Sequence, residues 1–198
     1  MPKIDAPTVA EHHARRRRAL LDAARSLLAS TGRVPTMGEL GEKAGLARSS
    51  VYQYFESTEA LLEAVVADVL PDWSNQVATK VRAETDPGRQ IWAYIEANID
   101  LFATSEQTVA QVLVRAVSPD VLAEPMQQFH AQLQIPLHEA LTSFGEPEVP
   151  VVAEMIDAMI IQASRVSHEG NAACDSPAEQ RGVALDRMRR LLGGYLGL

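Results

Sequence analysis

The sequence predicts an all-α fold with a small N-terminal head of three helices and a larger C-terminal helical body. Apolar residues recur at spacings of three and four, as at Leu20, Ala24, Leu27 and Leu28, which is the period of one helix face. Ala, Leu and Val dominate the hydrophobic 46% of the 198 residues, and aromatic residues make up only 5%. This composition favours helices over sheets.

Helix caps and breakers divide the chain into about nine helices. The first helix is predicted to begin at a capping box that starts at Thr8 and to end at Gly32. Three prolines are expected to kink, end or interrupt later helices: Pro71, Pro125 and Pro136. Beyond the head, helices are predicted over residues 56–70, with a continuation over residues 73–84, and over residues 86–102, 105–117, 151–169 and 176–192. A further helix is predicted to start at Ser118 and Pro119.

Between the first helix and residue 56, the pattern indicates two short helices joined by a tight turn. A capping box, Thr36–Glu39, opens the first of them, and Gly45 tolerates the positive φ that ends it. Val51 and Phe55 form the inner edge of the second helix, predicted over residues 47–55. Its outer face carries side chains that suit the phosphates and base edges of a DNA major groove: Arg48, Ser49, Ser50, Tyr52, Gln53 and Tyr54. The pattern is therefore a helix-turn-helix.

Charge is distributed unevenly along the chain. The net charge is −8, but residues 1–55 contain nine Lys or Arg against five Asp or Glu, which gives this part +4. The remaining residues contain nine basic and 21 acidic side chains, or −12. A basic head on an acidic body is typical of contact with nucleic acid through the head. Repulsion between the body and DNA would also orient the molecule head-first.

The order of these elements resembles the tetracycline-repressor-like (TetR-type) transcriptional regulators. The resemblance runs from about Arg17 to Val66, and its joint spacing is carried by Leu27–Gly32, Thr36, Leu40, Ala44–Leu46, Val51, Tyr52, Phe55, Glu59, Leu61 and Leu62. The sequence departs from the family pattern at three positions. Ala47 replaces a capping Ser or Thr, Tyr54 replaces a frequent His, and Thr58 replaces a frequent Lys.

The resemblance implies a transcriptional regulator, a repressor in preference to an activator, that a small molecule releases from its operator. It implies a helix-turn-helix DNA-binding domain over residues 8–56 and a helical ligand-binding and dimerisation domain over residues 57–198. A homodimer would present residues 47–55 of each subunit to one half of a palindromic operator in double-stranded DNA. No cofactor is implied.

Individual side chains in the head can be given expected roles. Arg48 and Gln53 are the expected base readers, since Arg pairs with guanine and Gln with adenine. The alternative is an ordinary solvated helix face. The expected phosphate contacts are Thr36, Tyr52, Tyr54 and Thr58, and the arginine run, Arg15, Arg16, Arg17 and Arg18, is expected to contact phosphate or the minor groove. Ser49 and Ser50 complete the predicted DNA contacts.

The body contains candidates for an effector cavity, which needs apolar walls and a few polar groups. The predicted ligand-binding residues are Trp92, Phe102, Met126, Phe129, Met155, Met159 and Gln162. Each of the apolar ones could equally belong to an ordinary helical core. The faces around residues 155–159 and 185–192 are also expected to pack against a second subunit.

Several other classes of protein are disfavoured by the sequence. No His, Cys, Asp and Glu cluster has metal-ligand spacing, and no glycine-rich phosphate loop or nucleophile beside a base is visible, so we expect neither a metal site nor an enzyme. Cys174 cannot form an intrachain disulfide. Neither a membrane-spanning run nor a secretory signal is apparent, which favours the cytoplasm. The alternative function is a helical adaptor that binds an acidic protein or an anionic surface.

Overall fold

A computed structural model describes residues 9–103, 105–169 and 176–198, without the side chains of residues 102–105, 165–169 and 177. Thr8, Cys174 and the side chain of Phe102 therefore lie outside the described residues. The described backbone contains nine α-helices and no strand, which confirms the predicted class: α1 (Val9–Thr31), α2 (Met37–Ala44), α3 (Arg48–Val51), α4 (Thr58–Arg82), α5 (Pro87–Ala103), α6 (Ser105–Ala116), α7 (Pro119–Phe144), α8 (Val149–Glu169) and α9 (Pro177–Leu196).

The chain forms two compact units. The first consists of the described residues up to Asp68 together with Thr108–Leu122, and it contains α1, α2 and α3. The second consists of the described residues in Val69–Gln107 and Ala123–Leu198, where α5, α8 and α9 pack on one another. Its core is a cluster of buried apolar side chains from these helices, α4 and α7, the largest of which include Tyr94, Ile91, Ile95, Leu137, Leu141 and Ile156.

The expectation that prolines would end or interrupt the later helices is wrong. Pro71 lies inside α4, and Pro125 and Pro136 lie inside α7. An internal proline removes one backbone hydrogen bond and costs about 3 kcal/mol. In α4, buried apolar side chains on both sides of Pro71, such as Val69 and Trp73, offset that cost, since each contributes roughly 1.5–3 kcal/mol when fully buried.

The helix-turn-helix of the first unit depends on a close approach at Gly41. Its backbone packs under the turn so closely that a Cβ at this position would lie 2.7 Å from the carbonyl oxygen of Leu46 and 3.2 Å from Val51 Cγ2. The turn itself is closed by the Leu46 amide, which donates to the Gly41 carbonyl at 2.8 Å, and by Gly45 at φ 68°. Only glycine fits at residue 41 without displacing the turn.

The start of α2 is held by the predicted capping box and by an ion pair that the sequence did not reveal. The Glu39 amide donates to Thr36 Oγ1 at 3.2 Å, and the Thr36 amide donates to Glu39 Oε2 at 2.8 Å. Arg33 Nη1 donates to the same carboxylate oxygen at 3.1 Å. The hydrogen bond from Arg33, followed by those from Thr36, lowers the pKa of Glu39 to about 2.

The second helix of the motif is shorter than predicted. The expected span of residues 47–55 is reduced to the four residues of α3, which ends at Val51, and Ala47 provides no side-chain cap hydrogen bond at its start. Tight turns continue the coil to residue 55. Tyr54 and Phe55 each donate their amide to the Val51 carbonyl, at 2.9 and 3.1 Å. We refer to residues 47–55 as the recognition segment.

In the described part of the chain, no helix combines the length and the hydropathy that crossing a bilayer requires.

Replacement of Gly41 by alanine should show whether a steric clash outweighs the higher helix propensity of alanine. We expect Gly41→Ala to destabilise the first unit by about 1–3 kcal/mol, because the new methyl group meets the Leu46 carbonyl. Gly38→Ala in the same helix is the matched control, since its Cβ would have only Thr36 Oγ1 within 4 Å, at 3.8 Å. Denaturant unfolding should show the control at least as stable as the parent; equal destabilisation by both variants would contradict the close approach.

Glu39 should give the first unit a specific sensitivity to acid. Its pKa in the folded protein is about 2, below the ordinary 4.5, so its stabilising contribution is present above about pH 4.5 and is lost as the pH falls toward 2. Glu39→Gln should therefore flatten the dependence of the unfolding midpoint on pH within this window. Glu42→Gln, which removes a carboxylate from the same helix without touching Arg33 or Thr36, should leave that dependence as it is in the parent.

Candidate nucleic-acid interface

The recognition segment presents a polar outer face on an apolar anchor. Val51 and Phe55 are buried and hold the segment against the first unit. The side chains predicted to contact DNA lie on the opposite side, where Arg48, Ser49, Tyr52 and Gln53 are exposed and Ser50 and Tyr54 are half-buried. The structure therefore leaves the predicted base readers Arg48 and Gln53 accessible, along with the neighbouring predicted contacts of the segment.

Arg48 and Tyr52 form a pair on this surface. The Arg48 Nη2 atom lies 3.5 Å from the Tyr52 hydroxyl, and its guanidinium carbon lies 6.0 Å from the centre of the Tyr52 ring. The hydrogen bond with Tyr52 raises the pKa of Arg48. The charged guanidinium therefore lies against Tyr52, the residue one turn later, and has further N–H donors that could meet a duplex.

The four successive arginines of α1 do not share one environment. Arg18 donates to Asp22 at 2.9 Å from Nε and also pairs with Asp68, so its charge is already used within the first unit. Arg17 lies over the ring of Phe55, with 5.5 Å from its guanidinium carbon to the ring centre. Arg15 and Arg16 are exposed and have no side-chain partner among the described residues. These two are the best placed for phosphate contact.

The two predicted threonine contacts sit at helix starts. The exposed Thr36 hydroxyl donates to Glu39 Oε2 at 2.9 Å as part of the capping box, so a phosphate would compete with that bond. Thr58 is half-buried at the start of α4, where Ser57 caps the helix by accepting from the Ala60 amide at 3.1 Å. Both remain predicted phosphate contacts.

The predicted effector residues of the second unit fall into two groups. Trp92, Phe129 and Met159 are partly buried against the main core, and Met126 is half-buried. Met155 and Gln162 are exposed on α8, so neither faces the interior of the described chain. Tyr94 lies in the core and donates its hydroxyl to Asp157 Oδ1 at 2.7 Å; burial, with Asp157 second, raises the pKa of Tyr94. The assignment of these residues to an effector site stays a prediction.

Some residues around the interface were not found by sequence reasoning. His13 stacks on Tyr54 with ring centroids 4.6 Å apart and an angle of 29° between the planes. His13 and Arg17 precede Leu20 at helical spacings of four and three, so they continue the inner face of α1. That spacing was a signal that could have indicated the contact of His13 with Tyr54. Among the described residues, no three His, Cys, Asp or Glu side chains are grouped so that they could hold a metal ion.

Comparison with known proteins relates the N-terminal part of the chain to one family of regulators. The sequence model described as "Bacterial regulatory proteins, tetR family" matches residues 20–65. The HTH-type transcriptional regulator BetI of Rhizobium meliloti is 29% identical over 111 residues, which cover 56% of this chain and 52% of that protein. The chain thus aligns with about half the length of the curated relatives it matches.

Solved structures share the fold over most of the chain. The regulator FadR of Bacillus subtilis, solved with stearoyl-CoA, has a TM-score of 0.62 at 16% identity and covers 84% of this chain and 95% of its own. A protein from Saccharomonospora viridis, solved with choline, has a TM-score of 0.71 at 13% identity and covers 89% of this chain and 96% of its own. Identities this low carry the fold alone.

Residues 20–65 therefore match the helix-turn-helix of the TetR-type regulators, and the chain shares the all-helical fold of solved transcriptional regulators.

Proposed function

We propose that this protein is a DNA-binding transcriptional regulator that contacts its operator through the recognition segment. The observation that carries the proposal is the exposed polar face of that segment, with Arg48 and Gln53 opposite the buried anchors Val51 and Phe55. The family match covers these same residues. DNA binding is assigned to residues 8–56, and effector binding and dimerisation are assigned to residues 57–198.

The side chains of the recognition segment, and not the charge distribution, favour this function over an adaptor that binds an acidic protein. Both partners would be attracted to the +4 charge of residues 1–55. An adaptor, however, has no need for an arginine and a glutamine that are both exposed on one short segment, whereas major-groove readout needs these donors and acceptors. DNA is therefore the partner that the geometry favours.

The regulator is proposed to be a repressor that a small molecule releases from DNA. The family resemblance supports this, as do the two structural neighbours that were solved with small molecules, stearoyl-CoA and choline. These two compounds differ in size, charge and polarity, so they support an effector-binding body without selecting a ligand class. Partly buried Trp92, Phe129 and Met159 are the proposed wall residues on this chain.

The protein is proposed to act as a homodimer that is joined through α8 and α9. An apolar stripe at spacings of four and three runs along α8 through Val151, Met155 and Ala158 and is exposed. On α9, Leu191 and Tyr195, four residues apart, are also exposed, and so is Leu198 just after the end of the helix. Exposure reaches 57% at Met155 and 66% at Leu191, and contiguous apolar surface of this kind marks interaction sites.

Two arginine variants should separate base readout from phosphate contact. Arg48→Ala should weaken binding to an operator selected from random duplexes by about 1–3 kcal/mol for each half-site, with little change for unrelated DNA. Arg16→Ala should weaken binding to all duplexes alike and should lower the slope of log affinity against log salt by about 1 for each phosphate that is no longer neutralised. Titration of labelled duplexes at several salt concentrations measures both.

If the wild-type protein prefers no duplex over random DNA, the proposed function is wrong. If Arg48→Ala lowers affinity equally for every sequence, DNA binding survives but Arg48 is a phosphate contact.

A charged substitution in the α8 stripe should dissociate the dimer. Met155→Glu would place a carboxylate from each subunit in the apolar interface, so we expect sedimentation velocity to show a shift from dimer to monomer. Val114→Glu on α6 is the matched control, because Val114 is 61% exposed but lies outside the stripe. A monomeric wild-type protein at micromolar concentration, or an equal effect of both variants, would contradict the proposed interface.

A further inference from the structure

The first three turns of α1 extend beyond the core of the first unit. All the described side chains from Val9 to Ala19 are exposed, and burial begins only at Leu20. The inner stripe of the helix, Leu20, Ala24 and Leu28, is fully buried. This stripe is also where the match to the family model begins, at residue 20.

The inner face of α1 continues into this extension with polar residues. Counting back from Leu20 and Ala24 in steps of three and four leads to Arg17 and then to His13, so these residues share one helix face. Arg17 lies over Phe55, and His13 stacks on the neighbouring Tyr54. Two residues one turn apart on α1 thus cover two successive residues at the end of the recognition segment.

The recognition segment needs such support because it is not stable by itself. Its helix is one turn long, and Ala47 offers no side-chain cap hydrogen bond. Helices this short do not persist in water without tertiary contacts. Val51 and Phe55 anchor the segment from the inside, whereas half-buried Tyr54 has its stacking contact with His13 on the outside.

We propose that His13 is a positioning residue for DNA readout. By stacking on Tyr54 it holds the end of the recognition segment in the conformation that presents Arg48 and Gln53 to the major groove. This inference rests on the proposed DNA binding and names a determinant of specificity within it. Holding the segment before DNA arrives lowers the ordering cost of specific binding. A phosphate contact by the imidazole is the competing role, and it would act on all sequences equally.

A measurement without DNA tests the positioning directly. Hydrogen exchange should be compared in the wild-type protein, His13→Ala, His13→Phe and the control His12→Ala. His12 is exposed on the same helix and has no side-chain partner among the described residues. Loss of one aromatic pair should accelerate exchange of the Gln53, Tyr54 and Phe55 amides in His13→Ala by about 2- to 10-fold. His13→Phe retains a ring and should restore the protection.

A second measurement tests the consequence for readout. The ratio of affinities for a selected operator and for random duplex should fall about 2- to 10-fold per half-site in His13→Ala. His13→Phe should restore the ratio, although it cannot donate to a phosphate. His12→Ala should leave the ratio at the wild-type value.

The outcomes distinguish this inference from the proposed function. Absence of sequence preference in the wild-type protein would defeat the proposed function, while hydrogen exchange would still decide the stacking role. The inference is overturned if His13→Ala exchanges like the wild-type protein, if His12→Ala has the same effect, or if His13→Phe behaves like His13→Ala. A uniform loss of affinity for all duplexes would assign His13 to phosphate contact instead.

Discussion

The close approach of α2 to the turn at Gly41 is the constraint that sets the DNA-reading surface. It fixes the distance between two helices that are too short to be stable alone. A Cβ at residue 41 would lie only 2.7 Å from the Leu46 carbonyl oxygen, so the packing excludes any side chain there. With the turn in place, Val51 and Phe55 enter the core of the first unit, and the polar residues between them face outward. The exposed surface is therefore a consequence of backbone packing beneath it.

Helix geometry places the four successive arginines of α1 in different environments. Successive positions on a helix differ by about 100°, so the run from Arg15 to Arg18 cannot act as one patch. Arg18 is neutralised by Asp22 and Asp68, and Arg17 covers the Phe55 ring. Arg15 and Arg16 remain on the outside. A count of basic residues thus overstates the charge available to DNA, and the pattern of internal partners identifies which charges remain.

The second unit combines a buried polar contact in its core with exposed apolar side chains on two of its helices. Within the core, the Tyr94 hydroxyl donates to Asp157, whose carboxylate also accepts from Gln134 at 3.2 Å. The Tyr94 hydroxyl thus has a hydrogen-bond partner without water. On the outside, α8 and α9 leave apolar stripes uncovered. The same helices contribute the core through their other faces. A second subunit could therefore cover the exposed apolar side chains without a change in the packing of the core.

Local spacing and side-chain type were enough to predict the helical class, the two-helix motif with its capping box and glycine stop, and the family. The continuity of helices through Pro71, Pro125 and Pro136 emerged only from the tertiary structure, and at Pro71 buried side chains on either side offset the missing hydrogen bond. The partners of Arg17 and His13 and the exposure of Met155 emerged in the same way. These features depend on tertiary contacts between residues that are far apart in the sequence, and local periodicity does not determine those contacts.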